Sequence, residues 1–250
     1  MSMKLNEKQQ EAATTLNGCL LIVAVAGSGK TTVLINRAVN LVNAGVDPKR
    51  ILMITFTRYA ARNMATKAKE IGDNKCIGLY TSTFHSFYLD MLRRYGNIIG
   101  MDPNFVILNS DGSIEDSISQ VMAKYTEYGE VKGFPSFSDI REAYSYAINT
   151  GRPLDQVLSE FKETMDYVAE LCDLYEIWTK EKEATNNYTY DDLMVKMLEL
   201  MQTENGRNAV SSLFDYIMVD EYQDINKPQN EILQLLTSSN PNVAVVGDDY

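Results

Sequence analysis

Gly27-Ser28-Gly29-Lys30-Thr31-Thr32 sets two glycines, a lysine and three hydroxyls in six consecutive positions, directly after the apolar run Leu20 to Ala26. Glycines let a backbone turn tightly enough for successive N–H groups to converge on one point, where an anion belongs. Lys30 adds a point charge, and Thr31 a hydroxyl suited to Mg2+. The helical pattern that opens at Thr31 adds a dipole with its positive end toward the loop. The set reads as a phosphate-binding loop for a nucleotide, with Ala24 standing where the general pattern has a glycine.

A second chemical element lies near the end of the chain. Tyr216-Ile217-Met218-Val219 is an apolar strand pattern that runs into Asp220-Glu221-Tyr222-Gln223-Asp224. Carboxylates at the carboxyl end of such a strand stand where α/β proteins bind ligands. Asp220 is placed to hold Mg2+, directly or through water, and Glu221 to polarise the water that attacks a terminal phosphate. An isolated Asp-Glu pair also fits a solvated acidic loop. A phosphate loop in the same chain gives the pair a task.

These groups need a scaffold. Short apolar runs alternate with helical patterns, which predicts an α/β fold with a parallel sheet. Strands are expected near Leu20–Ala24, Ile51–Thr55, Ile77–Thr81, Tyr216–Val219 and Val243–Val246, and helices over Thr31–Val42, Ala60–Ile71, Phe84–Tyr95 and Pro228–Leu236. The first, second and fourth strands are near-continuous apolar runs, the pattern of strands buried on both faces. Residues 110 to 187 break the rhythm and hold no strand pattern. There Ile114, Ile118, Val121, Met122 and Tyr125 form one helical stripe. Leu154, Leu158, Phe161, Met165, Val168, Cys172 and Tyr175 recur at alternating steps of four and three, which predicts one long helix opened by Pro153. Its narrow seam suits packing within a helical insertion or against a coiled-coil partner, and Trp178 on it reads as packing.

Bulk composition narrows the classes. At 250 residues, 45% hydrophobic and 23% charged, the chain fits one large domain or a domain with an insertion. Its longest apolar run, Cys19 to Ala26, has eight residues, too few for a membrane span, and the first residues lack the apolar segment of a signal peptide. Cys19, Cys76 and Cys172 are odd in number and widely spaced, as packed, reduced thiols of a cytoplasmic protein would be. The net charge of −11 argues against coating by nucleic acid through bulk electrostatics, so a bound strand would need specific residues.

The ordered motifs resemble those of UvrD/Rep-type superfamily 1 DNA helicases. The glycine loop and Asp220–Asp224 are similar to that family's first two motifs. Leu5-Asn6-Glu7-Lys8-Gln9 resembles its adenine-reading glutamine motif. Thr55-Phe56-Thr57-Arg58-Tyr59-Ala60-Ala61 and Thr83-Phe84-His85-Ser86-Phe87 resemble its early single-strand-binding motifs, with Arg58-Tyr59 in place of the usual Asn-Lys. Tyr190-Asp191-Asp192-Leu193 resembles the segment that returns the chain from an inserted subdomain, and Val245 to Tyr250 the opening of the third motif.

The resemblance implies a RecA-like P-loop NTPase domain over 1–109 and 188–250, interrupted by an all-helical subdomain over 110–187. It implies that Gln9 reads adenine, with Arg37 beside it, and that Gly27, Ser28, Gly29, Lys30, Thr31 and Thr32 hold ATP. Thr31 and Asp220 would bind Mg2+. Glu221 and Lys30 would serve hydrolysis, and Gln223 would couple the nucleotide to DNA. Phe56 would present a ring to a base of single-stranded DNA or a single-strand/duplex junction, with Thr57, Arg58, Thr83, Phe84 and His85 along the backbone. Duller roles fit some of the same residues: Phe56 can end a buried strand, Thr83 can cap a helix, His85 can be structural, and Thr189 with Asp192 makes a capping box. The implied activity is the ATP-binding part of a 3′-to-5′ DNA helicase, of the kind used in DNA repair, cut before its second motor domain and weakly active alone. The motor half of a helicase–nuclease and a non-catalytic strand- or partner-binding module are the alternatives.

Overall fold

The structure, a computed structural model, describes residues 5–25, 27–125 and 133–248, with the side chains of Lys124 and Tyr125 left aside. Ala26 of the glycine loop, the Tyr125 side chain of the helical stripe, and Asp249 and Tyr250 of the third motif therefore lie outside the described residues. In chain order the elements are α1 (Glu7–Thr14), β1 (Leu20–Val23), α2 (Lys30–Asn43), β2 (Ile51–Thr55), α3 (Arg58–Ile71), β3 (Tyr80–Thr83), α4 (Phe84–Tyr95), β4 (Val106–Ile107), α5 (Asp111–Tyr125), α6 (Phe137–Thr150), α7 (Leu154–Glu160), α8 (Val168–Ala184), β5 (Asn187–Tyr188), α9 (Tyr190–Gln202), α10 (Glu204–Ser211), β6 (Tyr216–Val219), α11 (Lys227–Thr237) and β7 (Val243–Gly247). Among the described residues, no helix is long and apolar enough to cross a membrane.

The chain divides into two compact units. One holds Met1–Asp90, Met201–Ile225 and Gln229–Tyr250. Its five-stranded sheet runs β1-β7-β6-β2-β3, every pairing parallel. The registers Val23↔Gly247, Val219↔Val245, Ile54↔Val219 and Thr55↔Thr83 bring all five carboxyl ends to one rim. The glycine loop and the segments that begin at Phe56, Phe84, Asp220 and Asp248 each follow one of these ends, so the sheet positions the chemistry. One sheet face packs under α2 and α3 through Leu34, Ile35, Ala38, Leu41, Met64 and Ala68 against Ile51, Met53, Met218, Ala244 and Val246. On the other face, the ring of Tyr80 meets Phe87 of α4 and Phe214.

Two strand expectations change. β1 is an edge strand: Leu20 and Ile22 pack on the α2 side, while Leu21 and Val23 are 65% and 54% exposed. An apolar run reports composition, not the number of neighbouring strands, so full burial holds for Ile51–Ile54 of β2 but not here. β3 begins at Tyr80, three residues later than expected. Ile77 is exposed and Gly78 turns the chain at φ +105°, so the strand is the polar run Tyr-Thr-Ser-Thr held by pairing with β2.

The second unit holds Met91–Leu200 and Asn226–Pro228. Its core joins Ile118, Val121 and Met122 of α5 with Ile140, Ala143 and Tyr144 of α6, Leu158 of α7, and Leu171, Leu174 and Trp178 of α8. The long helix expected from 154 onward is two helices. Phe161 turns extended (ψ 124°), and the fully buried Thr164 donates its hydroxyl to the carbonyl of Leu158 at 2.7 Å. The apolar spacing survives the break because both helices pack on one core. Residues 106–107 and 187–188 form a two-residue parallel pair that the 110–187 reading lacked. Thr189 and Asp192 form the expected reciprocal cap: Thr189 N–H donates to Oδ2 of Asp192 at 2.7 Å, and Asp192 N–H to Thr189 Oγ1 at 3.2 Å. Asp192 also accepts from the buried Lys182, whose Nζ lies 3.6 Å from the Trp178 ring centre. The three cysteines are free thiols; Cys76 is buried, but Cys19 is exposed rather than packed.

Candidate nucleotide and single-strand site

The glycine loop is built as its residues require. Gly27 and Gly29 adopt φ of +77° and +87°, the left-handed region that side chains disfavour. Gly29 is the N-cap of α2, and no side chain caps that helix, so its first-turn N–H groups are left for an anion at the loop. Lys30, the first helical residue, is buried at 8% exposure. Its ammonium pairs with Asp248 and lies 3.7 Å from Glu221, so two carboxylates hold the charge that a phosphate would take.

The two distant segments meet here. Thr31 Oγ1 donates to Oδ2 of Asp220 at 2.8 Å. Asp220 is 2% exposed, and its other oxygen, Oδ1, is buried without a partner among the described residues. Burial pushes this carboxyl above the usual carboxylate range, and the Thr31 hydrogen bond opposes the shift. An orphaned carboxylate oxygen beside a hydroxyl is an incomplete oxygen set. That fits Mg2+, which keeps several waters and takes further oxygens from substrate phosphates.

Glu221 sits in a left-handed conformation (φ 55°, ψ 46°), uncommon for a side chain with a Cβ and frequent at working sites. Gln223 holds it: Nε2 donates to Glu221 Oε2 at 2.9 Å, while Oε1 accepts from Asp248 N–H at 3.1 Å. Gly247 leaves room for this bridge, because a Cβ there would stand 2.9 Å from Gln223 Oε1.

Gln9 lies against the loop. Its Oε1 accepts from Asn6 N–H at 2.8 Å, closing the cap of α1, and its Nε2 donates to the carbonyl of Ser28 at 2.7 Å. Arg37 is 1% exposed and donates to the carbonyls of Ala12 and Leu16 at 3.4 and 3.1 Å, so its guanidinium fastens α1 to α2. Burial lowers its pKa. Thr32 is half-buried in the first turn, its carbonyl accepting from Asn36.

Across the rim, the segments after β2 and β3 are neighbours. Phe56 is half-buried with its ring edge-on to Phe84, centroids 5.6 Å apart. Phe84 is 3% exposed, so its ring supports Phe56 from the core and does not reach the surface. Thr57 caps α3 by accepting from Ala60 N–H at 3.1 Å, and Arg58 is exposed. Thr83 is buried and accepts from Ser86 N–H at 3.3 Å, which is the capping role, while its hydroxyl donates to Ser86 Oγ at 2.9 Å. His85 is half-buried beside Tyr88.

Sequence reasoning gave no task to Asp248, although its place after an apolar strand, at the same rim as Asp220, was the available signal.

The chain matches the family described as the UvrD/REP helicase N-terminal domain over residues 5–250. It is similar to the ATP-dependent DNA helicase PcrA of Leuconostoc citreum, 34% identical over 250 residues, which cover 98% of this chain and 32% of that protein. The PcrA of Staphylococcus aureus strain Mu50 is 33% identical over 247 residues, 98% of this chain and 33% of its own length. The chain thus spans about a third of the length of these relatives. A parallel sheet with a phosphate loop and a paired carboxylate segment on its carboxyl rim agrees with that match, and the chain belongs to the UvrD/REP helicase N-terminal domain family.

Proposed function

We propose that this chain is the ATP-binding motor part of a DNA helicase, that it draws on ATP and Mg2+, and that its carboxyl rim carries a single strand of DNA. The observation that carries the reading is the meeting of Thr31 with Asp220, beside a lysine held by two carboxylates. Thr31 and Asp220 Oδ1 would hold Mg2+, which supplies positive charge to the phosphate oxygens when bound. Lys30 exchanges Asp248 and Glu221 for the terminal phosphates. Glu221, held by Gln223, accepts the proton of the attacking water. Gln9 keeps the loop in shape through Ser28 and adjoins the nucleotide, and Arg37 anchors the helix that bears it.

Phe56, Thr57, Arg58 and His85 form the strand-facing rim, and Thr83 and Phe84 support them from beneath. The motor part comprises residues 1–109 and 188–250, with 110–187 as the helical insertion that carries α5 to α8. Action at a single-strand/duplex junction with 3′-to-5′ polarity, and a second motor domain that closes the ATP cleft and supplies arginine, complete the proposal. The resemblance implies them, and the relatives' greater length supports the second domain. An arginine supplied by another element is worth roughly 10³–10⁵ in turnover, so the 250 residues alone bind ATP but turn over slowly.

Equilibrium binding of a fluorescent ATP analogue, with and without Mg2+, tests the reading. Mg2+-dependent binding that Lys30→Ala abolishes supports it, and binding indifferent to both Mg2+ and Lys30 overturns it.

A further inference from the structure

We propose that Tyr59 is a base-stacking residue: its ring, on a helix turn that also exposes Arg58 and Arg62, takes one base of a single-stranded nucleic acid. The inference rests on the reading of this rim as strand-binding and adds a residue and a mode of contact to it.

Tyr59 is 80% exposed, the highest value among the large hydrophobic side chains described. It makes no hydrogen bond, ion pair or ring contact among the described residues. Helical geometry accounts for its direction. Ala61, Met64 and Ala68 form the buried face of α3, and position 59 falls on the opposite side. Arg58 and Arg62, one turn apart, lie on that same outward side and are exposed. No carboxylate pairs with either guanidinium among the described residues.

A lone exposed ring needs no explanation. Its surroundings give this one a ligand. The helix carries Arg58, Arg62, Lys67 and Lys69 against the single carboxylate Glu70, in a chain of net charge −11. It is a local cationic ridge on an anionic protein, suited to a polyanion. The ridge begins just past the end of β2, two residues after Phe56, whose ring is propped by Phe84. Two rings so close in sequence at one rim, with cations between and beyond them, combine sequence-tolerant stacking with phosphate attraction. A lysine at position 59 would supply only the second. Replacing a point charge with a ring moves part of the affinity from counterion release to stacking, which salt does not screen.

The test measures fluorescence anisotropy of a labelled oligothymidine and of an abasic strand of equal length on the purified protein, across a salt series. Tyr59 is exposed, so its replacement leaves the fold intact, which circular dichroism checks. Tyr59→Ala is expected to weaken oligothymidine binding by about fivefold to thirtyfold. The abasic strand should bind as to wild type, and Tyr59→Phe should restore oligothymidine affinity. Tyr59→Lys is expected to steepen the slope of log affinity against log salt by about 0.7. Wild-type affinity in Tyr59→Ala, or equal losses on both strands, overturns the stacking role while leaving the strand-binding rim in place. Failure of the wild-type protein to bind oligothymidine at all removes both.

Discussion

Thr31 Oγ1 stands 2.8 Å from Oδ2 of Asp220, so one hydrogen bond closes a span of 189 positions in the chain. It leaves Oδ1 of the same carboxylate buried and without a partner among the described residues. A buried carboxylate is poorly stabilised until a cation meets it, and burial holds this one above the usual carboxylate range.

A pH dependence follows from this carboxylate. Its folded-state pKa is above the unfolded value, so the folded protein binds the extra proton in the window between the two. Stability from this group is fully present below the ordinary carboxylate value and is lost as pH rises through the raised one. Asp220→Asn keeps an oxygen for Thr31 and removes the charge. Without nucleotide its melting temperature should equal that of wild type in acid and exceed it at neutral pH. A lower melting temperature at neutral pH would contradict the account.

Asp248 pairs with the ammonium of Lys30, the group that the proposed function gives to phosphate. The pair is largely screened from water, with side-chain exposures of 7% and 22%. Removing the competing charge in Asp248→Asn should tighten ATP-analogue binding roughly fivefold, on the order of 1 kcal/mol for a partly exposed pair. Isothermal titration reads this directly, and weaker binding would assign Asp248 to holding the nucleotide.

Gln223 bridges Glu221 and Asp248 and is expected to act through Glu221. In the full-length protein, Gln223→Ala should lower kcat about tenfold with KM for ATP little changed, the range of a misplaced general base. Gly247→Ala should do the same, because its methyl enters the space of Gln223 Oε1. A change in KM alone would place Gln223 on the substrate instead.

In the helical unit, Lys182 is 3% exposed, paired with both oxygens of Asp192 and set over Trp178. Burial lowers the Lys182 pKa against the opposing pull of Asp192. Asp192→Ala strands a buried ammonium and should destabilise the unit by about 3–5 kcal/mol. Lys182→Met with Asp192→Asn should recover most of that. Trp178 is the chain's one tryptophan, so denaturant unfolding followed by its fluorescence reports on this unit. A loss below about 1 kcal/mol in Asp192→Ala would mean that water reaches the pair.

The placement of the glycine loop and of the carboxylate pair at one rim was legible because each is written in consecutive residues and the sheet's register does the rest. α4 was legible to its ends, Phe84–Tyr95, from amphipathic spacing alone. Features set by neighbours rather than by local pattern were not. β1 looks like a buried strand until its edge position is known, β3 is polar and held by pairing, and the break after Glu160 is hidden because spacing continues across it. The task of Arg37 depends on where α1 lies, which no spacing within α2 reports. Phe84 carried a motif signature, yet its ring turned inward, since a signature records residue type and not side-chain direction.

The most direct measurement of the central claim is calorimetric titration of a nonhydrolysable ATP analogue into wild type, Asp220→Asn and Thr31→Ala, each with and without Mg2+. The account predicts that Mg2+ strengthens binding to wild type and has no such effect in either variant. Equal Mg2+ enhancement in all three proteins would contradict it.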